Sequence, residues 1–329
     1  MNESGARPGA PTERFGGIRR VAGAALSRSL GAGLVLLALA SLVFLSLRVL
    51  PGDPAALVLG DEAPESARAL LRARLGLDRP LVVQYAHFVW GLVTGDLGDS
   101  LSRPGVSAFA EVERALAPTA SLAATAVALG TVVGIALAVA AVGPWLGRRR
   151  EWIHRFVLVL AASPLVAFAP VVTFVFAVKM RLAPLPGDPE SGAAGLLFAS
   201  GLLSAPLAAQ VARIGRAALL DQSRAKYLDV ALAKGASATR VWLVHALPVA
   251  SAPIAVVVAT QLGALLGGAV VLERLFERPG LGTLMLNAYA ARDIPVLEAA
   301  VVAAGLCFVA AQGAAAAIAS AIDPRGQGA

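Results

Sequence analysis

Three lysines, three histidines and a single cysteine are the side chains from which a phosphate-binding, metal-binding or nucleophilic site would have to be built. A phosphate-cradling P-loop needs glycine directly before its lysine and Ser or Thr after it, and Lys179, Lys226 and Lys234 all lack those neighbours. His87, His154 and His245 are scattered, and neither a His-Glu-x-x-His nor a Gly-x-Ser-x-Gly element occurs. Cys307, being alone, has no intrachain partner for a disulfide or a thiolate cluster and reads as a packed small residue. A hydrolase, protease or metal enzyme is excluded by that sparsity.

The elements that carry these residues are set by composition. Hydrophobic residues make up 57% of the 329, charged ones 15%, and the mean hydropathy is +0.74. A charged group at the centre of a bilayer costs roughly 2.5 to 3.5 kcal/mol on insertion scales, so spans appear as long runs without Asp, Glu, Lys or Arg. Six such runs, each of 19 residues or more, cover 29–47, 115–147, 156–178, 191–212, 241–272 and 299–322. The reading is an all-α polytopic membrane protein with six transmembrane helices, near 29–47, 117–143, 156–178, 193–212, 247–272 and 296–322. The run at 80–95 is shorter and carries Gln84, Tyr85 and His87, which suits a helix on the membrane's outer face.

Arginines fix the orientation. Residues 1–28, a tail without apolar periodicity, hold Arg7, Arg14, Arg19, Arg20 and Arg28, and the second-to-third loop holds Arg148, Arg149, Arg150 and Arg155. The connection at 213–246 adds Arg213, Arg216, Arg224, Lys226, Lys234 and Arg240. These segments are expected in the cytoplasm, with both termini, and 48–114 outside. The net charge of +7 is explained by this bias at span ends, with no need for nucleic acid. Trp145, Trp152 and Trp242 fall at the same ends, as membrane-interface anchors do. Apolar residues continue past the Ala38-Leu39-Ala40 triplet, so the first run is read as a retained span rather than a cleaved leader.

Within 48–114, residues 63–75 read as a surface helix with Glu65 early and Arg72 and Arg74 late. Pro164, Pro170, Pro206 and Pro253 are expected to kink their spans. Small residues such as Gly263, Gly267, Gly268 and Gly313 permit close helix approach in lipid.

The stretch from Tyr227 to Pro248 is too regular for a linker. Residues 228–234 favour helix, with Asp229 near the start and Lys234 at the end; Gly235 supplies a left-handed stop, and Ser237 caps a second helix. Small side chains at Ala231, Ala233 and Ala236 are expected to let such a helix seat closely against a partner.

This helix-glycine-helix segment resembles the EAA loop of ABC importer permeases, with Asp229, Ala231, Gly235, Leu247 and Pro248 at the matching positions. Val230 stands where that family usually has alanine, and His245 where it has isoleucine. Further elements look like the dipeptide, oligopeptide and nickel importer permeases: Leu50-Pro-Gly-Asp-Pro54, Leu75 to Tyr85, Gly95-Asp-Leu-Gly98, Phe276-Glu-Arg-Pro-Gly-Leu-Gly282, Ala291-Arg-Asp-Ile-Pro295 and Asp323-Pro-Arg325. The resemblance implies the type I ABC importer permease fold and a coupling helix that inserts into an ATPase groove through Asp229, Ala231, Lys234, Gly235, Ala236, Ser237, Leu247 and Pro248. It also implies a complex of two related permeases, two ATPases that bind ATP and Mg, and an external solute-binding protein. No cofactor is expected on this chain.

The cargo is expected to be a peptide or related small solute, with nickel, glutathione or an opine as alternatives. Nickel would find no fixed His or Cys site here. A secondary transporter is the rival class, but it usually carries ionisable groups deep in its helices, and the six runs contain only His245, near an end. Gln210, Ser251, Thr260 and Gln261 are the polar candidates for a pathway lining; hydrogen bonding between helices is their other use.

Overall fold

The computed structural model describes residues 30–46, 48, 54–60 and 62–322. The tail at 1–28, the turn at 51–53 and the ending at 323–329 lie outside them. In order come α1 (Leu30–Ser46), α2 (Pro54–Leu59), α3 (Glu65–Arg74), α4 (Leu81–Thr94), α5 (Ala108–Val142), α6 (Arg150–Ala162) and α7 (Leu165–Thr173). There follow α8 (Gly192–Gln222), α9 (Lys226–Ala233), α10 (Ala238–Arg240), α11 (Leu247–Leu275), α12 (Leu281–Ala290) and α13 (Ile294–Ile322). One isolated bridge, Asp99 to Ser107, is the extent of β-pairing among the described residues.

Four helices are long and apolar enough to cross a membrane singly: Ala108–Val142, Pro189–Gln222, Ala238–Gly267 and Ile294–Ala317. A fifth crossing is broken, since Pro144–Ala162 and Leu165–Lys179 meet at 111°. The run at 156–178 is therefore two helices and not one kinked helix. Ser163 and Pro164 are extended, with ψ of 119° and 131°, and proline disfavours helix in the residue before it. Pro170, Pro206 and Pro253 lie inside continuous helices. The broken pair still traverses the bundle: Val157 of α6 packs with Ala209 and Ala212 of α8, whereas Gly187, beyond α7, sits beside Glu277 at the opposite end.

Three apolar layers stack along the bundle. At the end bearing Arg148 to Arg150, Ala138 and Val142 of α5 meet Leu219, Leu228, Val241 and Ala250. Midway, Leu122 and Ala126 meet Leu203, Leu207, Ile254 and Leu265. At the far end, Ala108 and Val112 meet Leu281, Ala288, Val296 and Ala300. The central pair is α5 with α8, held close by Gly130 and Gly134: a Cβ on Gly134 would stand 2.6 Å from Val211 Cβ and 2.8 Å from the Ala208 carbonyl oxygen. Lipid tails are as apolar as the helices, so such close backbone approach, rather than apolar burial, holds spans together. Gly263 serves similarly, with the Phe308 ring of α13 against it, whereas Gly267 and Gly313 have open space before them.

The short helix expected at 80–90 is α4, which Pro80 begins and Gly95, at φ 75°, ends. It docks on α1: Phe88 packs with Ala40 and Phe44, and the Tyr85 and Ser41 hydroxyls lie 2.6 Å apart.

Candidate functional site

At the arginine-rich end, α9 is anchored by Leu228, which is 4% exposed and packs among Ala138, Val139, Val142, Val241, Ala246 and Ala250. Asp229 lies in its first turn, where the helix dipole favours an acid. The helix ends in a paired set of bonds: Gly235 N–H donates to the Leu232 carbonyl at 2.9 Å and Ala236 N–H to the Ala231 carbonyl at 3.1 Å. Gly235 sits at φ 85°, the left-handed conformation this reversal requires. Ser237 Oγ then accepts the Arg240 N–H at 3.3 Å and opens the next helix. That helix does not stop at the loop; α10, a π-helical turn at Val241–Ala246 and α11 follow without a break.

The small residues divide between two faces. Ala231 and Ala236 are half-buried against the chain's own apolar layer, where they seat the loop on its spans. Facing out are Asp229, Val230, Leu232, Ala233, Lys234 and Ser237, with Val230 and Leu232 53% and 50% exposed. Leu247 is half-buried and Pro248 exposed at the start of α11. Trp145 is more than an interface anchor: its Nε1–H donates to Thr239 Oγ1 at 3.2 Å, tying the turn after α5 to α10.

The four pathway candidates do not converge. Ser251 and Thr260 are exposed, with hydroxyls that donate to the Pro248 and Val257 carbonyls of their own helix. Nine residues separate them, which puts them on roughly opposite faces of a helix with 100° per residue. Thr260 belongs to an open stripe along α11 with Val249, Pro253, Val256, Ala264 and Gly267. Gln261 instead lines a cavity of about 60 Å³ with Leu165, Leu203 and Pro206, and Gln210 is half-buried on α8.

Sequence reasoning missed the polar structure at the far end. Glu273 is fully buried; its Oε1 accepts from Thr119 Oγ1, and its Oε2 accepts the N–H groups of Gly282 at 2.8 Å and Thr283 at 3.1 Å. Thr119 Oγ1 accepts the Leu281 N–H. The first amides of α12 are thus capped by side chains from α5 and α11. Asp293 does the same for α13, accepting from Val296 N–H while holding Ser100 Oγ and both the N–H and Oγ of Ser102. Arg48 closes the α1 corner, reaching Glu298 at 2.7 Å and Gln84 at 3.1 Å. The signal was present: Glu273 lies three residues before the Phe276 to Gly282 motif, and Asp293 lies within Ala291 to Pro295.

Burial alone would raise the Asp293 carboxyl, but hydrogen bonds from Ser100, from Ser102 and from the Leu101 backbone outweigh it and hold the group below its ordinary value. A folded value below the unfolded one gives stability that is present above the unfolded value and lost as pH falls through the folded one. The solubilised protein is therefore expected to lose melting temperature on acidification below about pH 4. Asp293→Asn is expected to flatten that loss while costing about 1–3 kcal/mol at neutral pH, because one buried donor goes unanswered. Thermal unfolding followed across pH checks both.

Stacked apolar helices, with side chains capping helix ends at one face and a reversed, partly apolar loop standing off the other, define a polytopic membrane permease. The chain belongs to the family of binding-protein-dependent transport system inner membrane components, whose model matches residues 116–326 and whose N-terminal model matches 24–109. It is all-α with the type I ABC importer permease fold, and it acts as a transport subunit of a binding-protein-dependent importer. Similar proteins include the glutathione transport system permease proteins GsiC of Salmonella typhimurium and Salmonella choleraesuis, each 36% identical over 289 residues, covering 86% of this chain and 92% of the relative. The GsiC protein of Escherichia coli strain K12 is 35% identical with the same coverage.

Proposed function

We propose that this permease carries small peptides of the glutathione class inward by alternating access, driven by ATPases seated on residues 226–240. One observation carries the docking half: the reversal at Gly235 holds Val230, Leu232 and Ala233 outward, beside Asp229 and Lys234, at the end where the arginines cluster. An apolar patch rimmed by charge, standing off a membrane domain, suits a partner's groove. The positive-inside bias makes that end cytoplasmic, with both termini there. Two ABC ATPases binding ATP and Mg would occupy it, and a second, homologous permease would complete the cavity, with the open Thr260 stripe of α11 as this chain's contribution. The solute-binding protein would meet the far end, on 48–114 and α12.

The cargo half rests on 36% identity across 92% of relatives that are named for glutathione transport. Proteoliposomes holding the whole complex and its binding protein, supplied with ATP and labelled glutathione, test it. Uptake competed by unlabelled glutathione, and indifferent to nickel or opines, is the expected result. Uptake of oligopeptides or nickel without glutathione would overturn the cargo and leave the permease role intact.

A further inference from the structure

Between the Gly235 reversal and the long helix α11 lies one residue more than an α-helix needs. Over Val241–Ala246 the backbone is π-helical, and Leu247 N–H donates to the Trp242 carbonyl, five residues back. Pro248 accounts for it in part: it has no N–H for the Val244 carbonyl, and its ring crowds that carbonyl, so the turn before it widens. Burial follows the wide turn. Val241, Ala246, Ala250 and Ile254 are each 3% exposed or less, with a step of five followed by two steps of four, while Leu243 and Val244 point outward at 45% and 55%. The segment before the turn is held by Leu228 in the apolar layer and by Trp145 on Thr239. The segment after it carries the open Val256, Thr260 and Gly267 stripe.

We propose that this π-turn is the joint through which displacement of residues 226–240 becomes rotation of α11. π-turns within helices are short and less favourable than the α-helix that surrounds them, so they are places where hydrogen-bond register is readily exchanged. Taking up the extra residue turns α11 by roughly 100° relative to the loop, enough to carry Thr260 from one wall to another. The inference rests on residues 226–240 being the ATPase-docking segment.

Deleting Leu243 tests it. Without that residue Val241, Ala246, Ala250 and Ile254 fall at i, i+4, i+8 and i+12, so the buried stripe survives in an uninterrupted α-helix. In the assembled complex the expected result is ATPase co-purification at the wild-type ratio, continued ATP hydrolysis and uptake reduced roughly tenfold, within the range of coupling between two sites. Uptake within about twofold of wild type would overturn the joint. Should the deletion fail to accumulate, hydrogen exchange on the wild-type complex decides: ATP is expected to change protection at the 243–247 amides, and identical protection with and without ATP contradicts the proposal. Failure of the docking reading itself shows separately, as co-purification and uptake that are both indifferent to Gly235→Val.

Discussion

Glu273→Ala is expected to cost this protein about 2–6 kcal/mol, at about 1–3 kcal/mol for each buried amide left without its acceptor. Its removal strands the Gly282 and Thr283 amides and leaves the Thr119 hydroxyl only the Ala115 carbonyl of its own helix. The cost exceeds that of an ordinary lost hydrogen bond because Glu273 links α5, the end of α11 and the first turn of α12. Without it α12 loses its cap and its place in the apolar layer formed with Ala108 and Val296. Gly280→Ala is a second route to the same defect, since a Cβ there would stand 2.2 Å from the Glu273 side chain. Glu273→Gln, keeping one acceptor oxygen, is expected to be milder. The fraction of solubilised protein that stays monodisperse after a heat step ranks the three: Gln above Gly280→Ala and Glu273→Ala. Equal survival of Glu273→Ala and wild type would mean that the buried carboxylate does not hold α12.

How much of this was legible beforehand depended on how local each cause was. The Gly235 stop and the Ser237 cap were readable because a left-handed residue and an N-cap act within a turn of themselves. The fold class was readable because bilayer thickness sets span length. Proline positions located the break in the third run, but its 111° angle comes from how α6 and α7 pack on α8, which no local pattern encodes. Glu273 and Asp293 escaped notice as structural centres because, besides nearby amides, each holds a partner 154 or 191 residues away, at Thr119 and Ser102. Ala231 and Ala236 were expected to seat the helix against a partner; within this chain they pack, with the buried Leu228, against the apolar layer of the spans, a tertiary contact that no local pattern encodes. The Gly130 and Gly134 pair, spaced as a packing motif, was passed over for glycines in α11 and α13, of which Gly267 and Gly313 face open space.

If energy enters through the segment reversed at Gly235, that residue offers a selective perturbation. A Cβ at Gly235 would meet nothing within 4 Å, so the obstacle to substitution is backbone alone, φ 85°. Asn tolerates this conformation, whereas a β-branched residue pays roughly 1–2 kcal/mol there and pulls the loop out of its paired bonds to Leu232 and Ala231. Gly235→Asn is therefore expected to behave nearly as wild type, and Gly235→Val to insert normally while losing most ATPase co-purification and uptake. The direct measurement is uptake by the reconstituted complex, with its ATPases and binding protein, under ATP and under collapsed ion gradients. Uptake that requires ATP, ignores the gradients and survives Gly235→Asn but not Gly235→Val is the predicted result. Uptake untouched by Gly235→Val, or uptake that persists without ATP and vanishes with the proton gradient, would contradict it.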